Sequence, residues 1–237
     1  MERQDIEQRS RERSRETRLT PFGSWVSRQV VTLMTGRQPS SGGGRKGYMG
    51  DDPLATAAIA KLRHGVGREI GDDPSLLAWT LPETDDPDIV GSRSSATGEP
   101  TARERAAYAA ITLFAAHQQS IHDMPMYTES NVSLGYAIGR MAYGNFNEKG
   151  IRSRFAQLQT SNGWKELIRH ARDLISLLKR EHIAINYGMF AQDLLGLRSG
   201  RESANRVRLR WGRDFQRGYV GAQKTNDTIN DGNNYNN

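Results

Sequence analysis

The stretch RVRLRWGRDFQRGY, Arg206 to Tyr219, sets five arginines among fourteen residues. A guanidinium group is planar, stays charged at neutral pH and gives paired hydrogen bonds to phosphate, so phosphate binding is the chemistry this stretch offers. On a helix, Arg206, Arg210, Arg213 and Arg217 fall at i, i+4, i+7 and i+11 and form a row. Val207, Trp211 and Phe215 recur every four residues on the opposite, buried face. RVRLRW alone alternates with the period of a strand, but the chain offers no strand to pair with it, and the wider window favours helix. Gly212 weakens that helix by up to ~1 kcal/mol. Like charges one turn apart repel by ~0.2–0.5 kcal/mol per pair, and a single acidic neighbour, Asp214, does not offset four arginines. The row therefore faces phosphates, solvent or acids from other helices. Arg208, close to the buried face, is either salt-bridged or held rigidly at its edge.

Other basic residues punctuate the chain: Lys61, Arg63, Arg68, Arg103, Arg105, Arg140, Arg152, Arg154, Arg169 and Arg172. With no helix-turn-helix, zinc-finger or RNP signature beside them, they suit contact with a nucleic-acid backbone rather than base reading. Catalytic patterns are missing. His117 and His122 stand five apart with no HExxH, no GxSxG occurs, and the absence of cysteine removes thiol nucleophiles and thiolate zinc sites. Carboxylate pairs fall at turns and caps. The expectation is a protein that is not an enzyme and uses no cofactor or metal.

The elements that must position these residues are helical. TARERAAYAAITLFAAHQQS opens with a capping box, Thr101 and Glu104. GDDP occurs twice, at 50–53 and 71–74, each time with Asp as cap and Pro in the first turn. Ser133, Asn147 and Asn186 are further candidate caps. FGSWVSRQVVTLM buries Trp25, Val26, Val30, Leu33 and Met34, while NGWKELIRHARDLISLLKRE lines up Trp164, Leu167, Ile168, Ala171, Leu174, Ile175 and Leu178. Tyr187, Phe190, Ala191 and Leu194 share a side of the next segment. The reading is all-α: a charged arm at 1–20, a bundle at 21–125 with flexible loops at 36–50 and 82–100, a second small bundle at 126–219, and a disordered Asn-rich tail at 220–237. Gly and Pro in the two loops argue against regular helix there. SGGGRKG lacks the Lys-Ser/Thr ending and the preceding strand of a phosphate loop.

The 237 residues carry a formal charge of +6. The isoelectric point is near 9.7 and mean hydropathy is −0.71. That balance permits nucleic-acid binding. No signal-type apolar region opens the chain and no apolar run approaches the ~20 residues of a membrane span, so a soluble, cytoplasmic protein with no membrane partner is expected.

The segments LATAAIAKLRHGVGREIGDDPSLLAWTLP, AAITLFAAHQQS, VSLGYAIGRMA, IRSRFAQLQTSNGWKELIRHARDLISLLKREHIAINYGMFAQDLL and NRVRLRWGRDF follow one another as in CasB, the small subunit of the type I-E CRISPR Cascade complex. The chain resembles that family over roughly residues 22–217. The resemblance implies two small helical bundles and a non-catalytic role in antiviral defence, stabilising the R-loop. Its implied partners are the backbone and large Cascade subunits, a second copy of itself, the crRNA–target DNA heteroduplex and the displaced single-stranded DNA. Carried over by position, it points to Lys61, Arg63, Arg103, Arg140, Arg198, Arg201, Arg206, Arg208, Arg210 and Arg213 as nucleic-acid contacts. Tyr136 stands where many relatives have Arg after SLG, and Asn162-Gly163 where some carry a basic residue. The alternative is a helical adaptor whose arginines pair with acidic faces of partner subunits.

Overall fold

A computed structural model describes residues 19–36, 46–92 and 98–233. The charged arm at 1–18 and the glycine run at 37–45 lie outside the described residues. Among those described there are ten α-helices and no strand. The one β feature is an isolated bridge between Tyr127 and Ile185.

Helix α1, Pro21–Thr35, is capped by Thr20, whose Oγ1 accepts from the Gly23 amide at 3.2 Å. It buries Trp25, Val26, Val30, Leu33 and Met34, as its periodicity predicts. Asp52 caps α2, Pro53–Leu62, accepting from the Leu54 and Ala55 amides, and Asp73 does the same for a 3₁₀ turn before α3, Leu77–Thr80. Both GDDP repeats are thus caps.

The polar stretch at 82–100 holds more structure than its composition suggests. Asp86 and Pro87 repeat the same device and start α4, Pro87–Val90. Val90 is buried, and its carbonyl accepts from Thr101 Oγ1 at 2.5 Å. Likewise Tyr48, within the expected linker at 36–50, is buried, and its hydroxyl accepts from the Ser120 amide at 2.8 Å. In each case a buried side chain and a hydrogen bond tie the described part of the segment to the core.

Helix α5, Ala102–Gln118, opens with the complete Thr101–Glu104 capping box. Residues 106–115 are buried on every side, and α1, α2, α3 and α4 all pack on α5. Helices α6 (Leu134–Ala142), α7 (Glu148–Thr160) and α8 (Trp164–Arg180) follow. Asn147 stands at the start of α7 without a side-chain cap bond, whereas Ser133 and Asn186 do cap α6 and the next helix, α9 (Tyr187–Arg198). Helix α9 packs on α1, α5 and the last helix, α10, Arg201–Asn233, so a continuous apolar core runs from Phe22 to Phe215.

Helix α10 settles the ambiguity of RVRLRW: Val207, Trp211 and Phe215 are all buried. It does not stop at Tyr219 but continues as helix to Asn233, with no proline in that span to break it. It crosses α6 at backbone contact. A Cβ on Gly139 would meet the Phe215 carbonyl oxygen at 2.0 Å, one on Gly135 the Trp211 oxygen at 2.5 Å, and one on Gly218 the Tyr136 oxygen at 2.1 Å. Three glycines thereby fix where the arginines of α10 stand.

Candidate nucleic-acid interface

Helix α10 emerges from the α9–α10 corner with Arg198 and Arg201 exposed on either side of Gly200, whose φ is +96°. Along the helix, Arg206, Arg210, Arg213 and Arg217 are exposed, as the row requires. Three of the four are nevertheless matched by acids. Arg206 donates to Glu202 at 2.6 Å, one turn back. Arg217 donates to Asp214 at 2.5 Å. Arg210 donates to Asp193, which α9 carries into the interface and which also accepts from the Trp211 indole at 2.5 Å. Of the three alternatives for the row, acids from another helix hold at Asp193, while Glu202 and Asp214 come from α10 itself. Arg213 has no ion-pair partner among the described residues.

Asp193 is buried, and burial raises its pKa to about 6 against the opposing pull of Arg210 and Trp211. Asp214, also buried, accepts from Ser133 Oγ at 2.6 Å, so the cap of α6 and the arginine row of α10 share one carboxylate. Arg208 is held at the edge of the buried face. Its Nε donates to the Gln159 carbonyl at 2.7 Å, and the Gln159 amide returns a bond of 3.3 Å to the Arg208 carbonyl. Arg152 is engaged too, bonded to Glu148 at 2.7 Å with its guanidinium 4.8 Å from the Phe215 ring centre and 4.7 Å from that of Tyr219.

A second cationic place lies where α2 ends against α5. Lys61 is exposed and near Asp73, whose pKa is lowered chiefly by Ser75 with smaller help from Lys61 and Arg68. Arg63 is half-buried, and its Nε is buried with no hydrogen-bond partner among the described residues. Beside it, α8 contributes Lys179, whose ammonium donates to the Ala116 carbonyl at 3.2 Å. Burial, and then the Arg63 charge, push the Lys179 pKa down. Two neighbouring cations with no carboxylate bonded to either among the described residues form a site suited to an anion. Sequence inspection passes over Lys179, because a lysine in the last turn of a helix looks like ordinary compensation of the helix dipole.

The remaining expected contacts are apart from these two places. Arg103 donates to the Pro87 carbonyl and pins α4 to α5. Arg140 is exposed on α6, facing a groove shared with the far end of α10. His117 and His122 are not paired: His117 is buried against Tyr187, while His122 stacks on Tyr48 and lies 3.1 Å from Asp51. Among the described residues no cluster of three or more His, Asp or Glu could hold a metal ion, and no helix is long and apolar enough to cross a membrane.

Comparison with known proteins agrees with this architecture. The family model for the CRISPR-associated protein Cse2 matches residues 58–215. Among solved structures, the chain is similar to the crystal structure of CasB from Thermobifida fusca, at 30% identity and a TM-score of 0.65, over 84% of this chain and 99% of that one. None of the curated proteins matches it.

Proposed function

The chain belongs to the CRISPR-associated Cse2 family, a small subunit of Cascade in CRISPR defence, and on that premise we propose that it holds nucleic-acid backbone and so stabilises the R-loop. In RNA-guided recognition base pairing reads the sequence, while protein holds shape and backbone. Exchanging a DNA duplex for a guide heteroduplex is nearly balanced, so a few phosphate contacts decide whether the open loop persists.

The observation that carries the reading is the half-buried Arg63–Lys179 pair, which the chain does not neutralise internally. Holding two like charges together in a partly dry place costs free energy, and a bound anion would offset it. A phosphate, with its acceptor oxygens, does so. Lys61, Arg198, Arg201 and Arg213 add exposed cations without ion-pair partners among the described residues, and the family role gives them a polyanion to meet.

The test is binding of single-stranded DNA across a salt series, with the Arg63→Ala/Lys179→Ala variant beside the parent. Counterion release makes log affinity fall with log salt by ~0.7 per phosphate contacted, so the variant, losing one phosphate site, should bind more weakly with a slope shallower by ~0.7. Unchanged affinity and slope would remove the proposal. Binding of partner subunits that survives raised salt, without any DNA binding, would favour the adaptor reading instead. The fully exposed Phe146 and the exposed Leu209 are apolar surfaces such partners could cover.

A further inference from the structure

The groove between α6 and the far end of α10 differs from both cationic places. It is lined by Tyr136, Arg140 and Tyr143 on one side and by Gly221, Ala222, Thr225 and Asn226 on the other, and encloses about 570 Å³. That is within the ~300–1,000 Å³ range of small-ligand clefts. Both tyrosines are half-exposed, and no carboxylate lines the groove.

The tyrosines are held in place. The Tyr136 backbone is fixed by its contact with Gly218, and the Tyr143 ring meets Tyr219 edge-on at 5.3 Å and 87°. The Arg217 guanidinium lies 6.0 Å from the Tyr136 ring centre, so a cation borders the aromatic surface. Arg140 is exposed at the same groove and carries no partner among the described residues. Held aromatic rings beside guanidinium groups, of which Arg140 has no ion-pair partner among the described residues, are what a single strand uses: bases stack on the rings while the backbone follows the charges.

We propose that this groove is a stacking subsite for an unpaired nucleotide, its base against Tyr136 and Tyr143 and its phosphate on Arg140. The inference deepens the backbone-binding reading and rests on it. At this groove, the chain holds single strands by their bases as well as their phosphates, which a duplex, with its bases paired and stacked, does not offer. Tyrosine at position 136 then has a function of its own: it offers a base an uncharged ring face, where an arginine would bring charge as well.

The experiment compares oligothymidylate with an abasic strand of the same length and charge, binding to the full chain at one salt concentration. The parent should prefer the thymidine strand by about tenfold or more, the range of base–aromatic stacking. Tyr136→Ser/Tyr143→Ser should bring the two affinities together, while Tyr136→Phe/Tyr143→Phe keeps the preference because the rings remain. Equal binding of both strands by the parent overturns the stacking subsite but leaves phosphate binding standing, and decides the matter even if the serine variant fails to fold. No binding of either strand overturns this inference together with the reading beneath it.

Discussion

Replacing Arg210 by alanine would strip the buried Asp193 of its cation. Breaking a fully buried pair costs ~3–5 kcal/mol. The Arg210 side chain is 48% exposed, so water already screens part of the attraction, and ~1–3 kcal/mol is the better figure for Arg210→Ala. For a chain of this size that lowers the melting temperature by roughly 2–12 °C. The loss should depend on pH in a definite sense. The folded-state pKa of Asp193, about 6, lies above the ordinary 3.8, so the folded chain binds this proton more tightly than the unfolded one. Its contribution to stability is greatest below the unfolded value and is lost as pH rises through the folded one. Without Arg210 the folded pKa climbs further and the loss extends to higher pH. Parent and variant should therefore melt closest together near about pH 4–5, where Asp193 is protonated in both, and differ most above neutrality. Thermal melts across that range read the effect, and Asp193→Asn supplies the second arm, since Arg210→Ala should cost much less in that background. An equal loss at every pH, in both backgrounds, would refute the assignment of Arg210 to Asp193.

Four further outcomes follow from the packing. Gly139→Ala should destabilise by ~1–3 kcal/mol or more, because its methyl would strike the Phe215 carbonyl. Gly212→Ala, with open space around it in the same helix, should instead stabilise by ~0.5–1 kcal/mol, and denaturant midpoints distinguish the two. Ser133→Ala should cost ~1–3 kcal/mol by chemical denaturation, since it removes both the cap of α6 and a hydrogen bond to buried Asp214. His117 is buried, and burial lowers its pKa to about 3 from the ordinary 6.5. Its stabilising effect is thus complete above the unfolded value and is lost as pH falls towards the folded one; His117→Gln should flatten that acid limb of the stability profile.

Features that act within one turn are legible in the chain. Asp52, Asp73, Thr101, Ser133 and Asn186 each bond to an amide two or three residues on, so residue type and spacing suffice to place them. The turn at Pro87 obeys the same Asp-Pro rule, and only the surrounding polar composition hides it. Glu202, four residues before Arg206, is within reach of the same local reasoning. Asp193 is not. Its bond to Arg210 spans seventeen residues and two helices, and depends on the angle at Gly200. Arg63 and Lys179 are further apart still, and nothing in either neighbourhood announces the other. The glycines of α6 and α10 are individually unremarkable as sequence. Only the crossing shows that each stands where a carbonyl from the other helix would meet a side chain.

The pairing of the α10 arginines changes how the row should meet a polyanion. A bare row of four would release counterions from about four phosphates and give a salt slope near −3 on a single strand. Glu202, Asp193 and Asp214 already neutralise three of the four, leaving Arg213 as the one whose charge has no ion-pair partner among the described residues. An ion pair occupies only part of a guanidinium, which has five N–H donors, so the paired arginines keep directed hydrogen bonds while losing most of their net charge. If the pairs persist on binding, the α10 row contributes a slope nearer −0.7, and Arg213→Ala removes nearly all of it. The difference in slope between the parent and an Arg206/Arg210/Arg213/Arg217 alanine variant measures this directly. A difference near 3 would mean that the acids let go when DNA arrives, and that the row is held in reserve by its own helix partners until then.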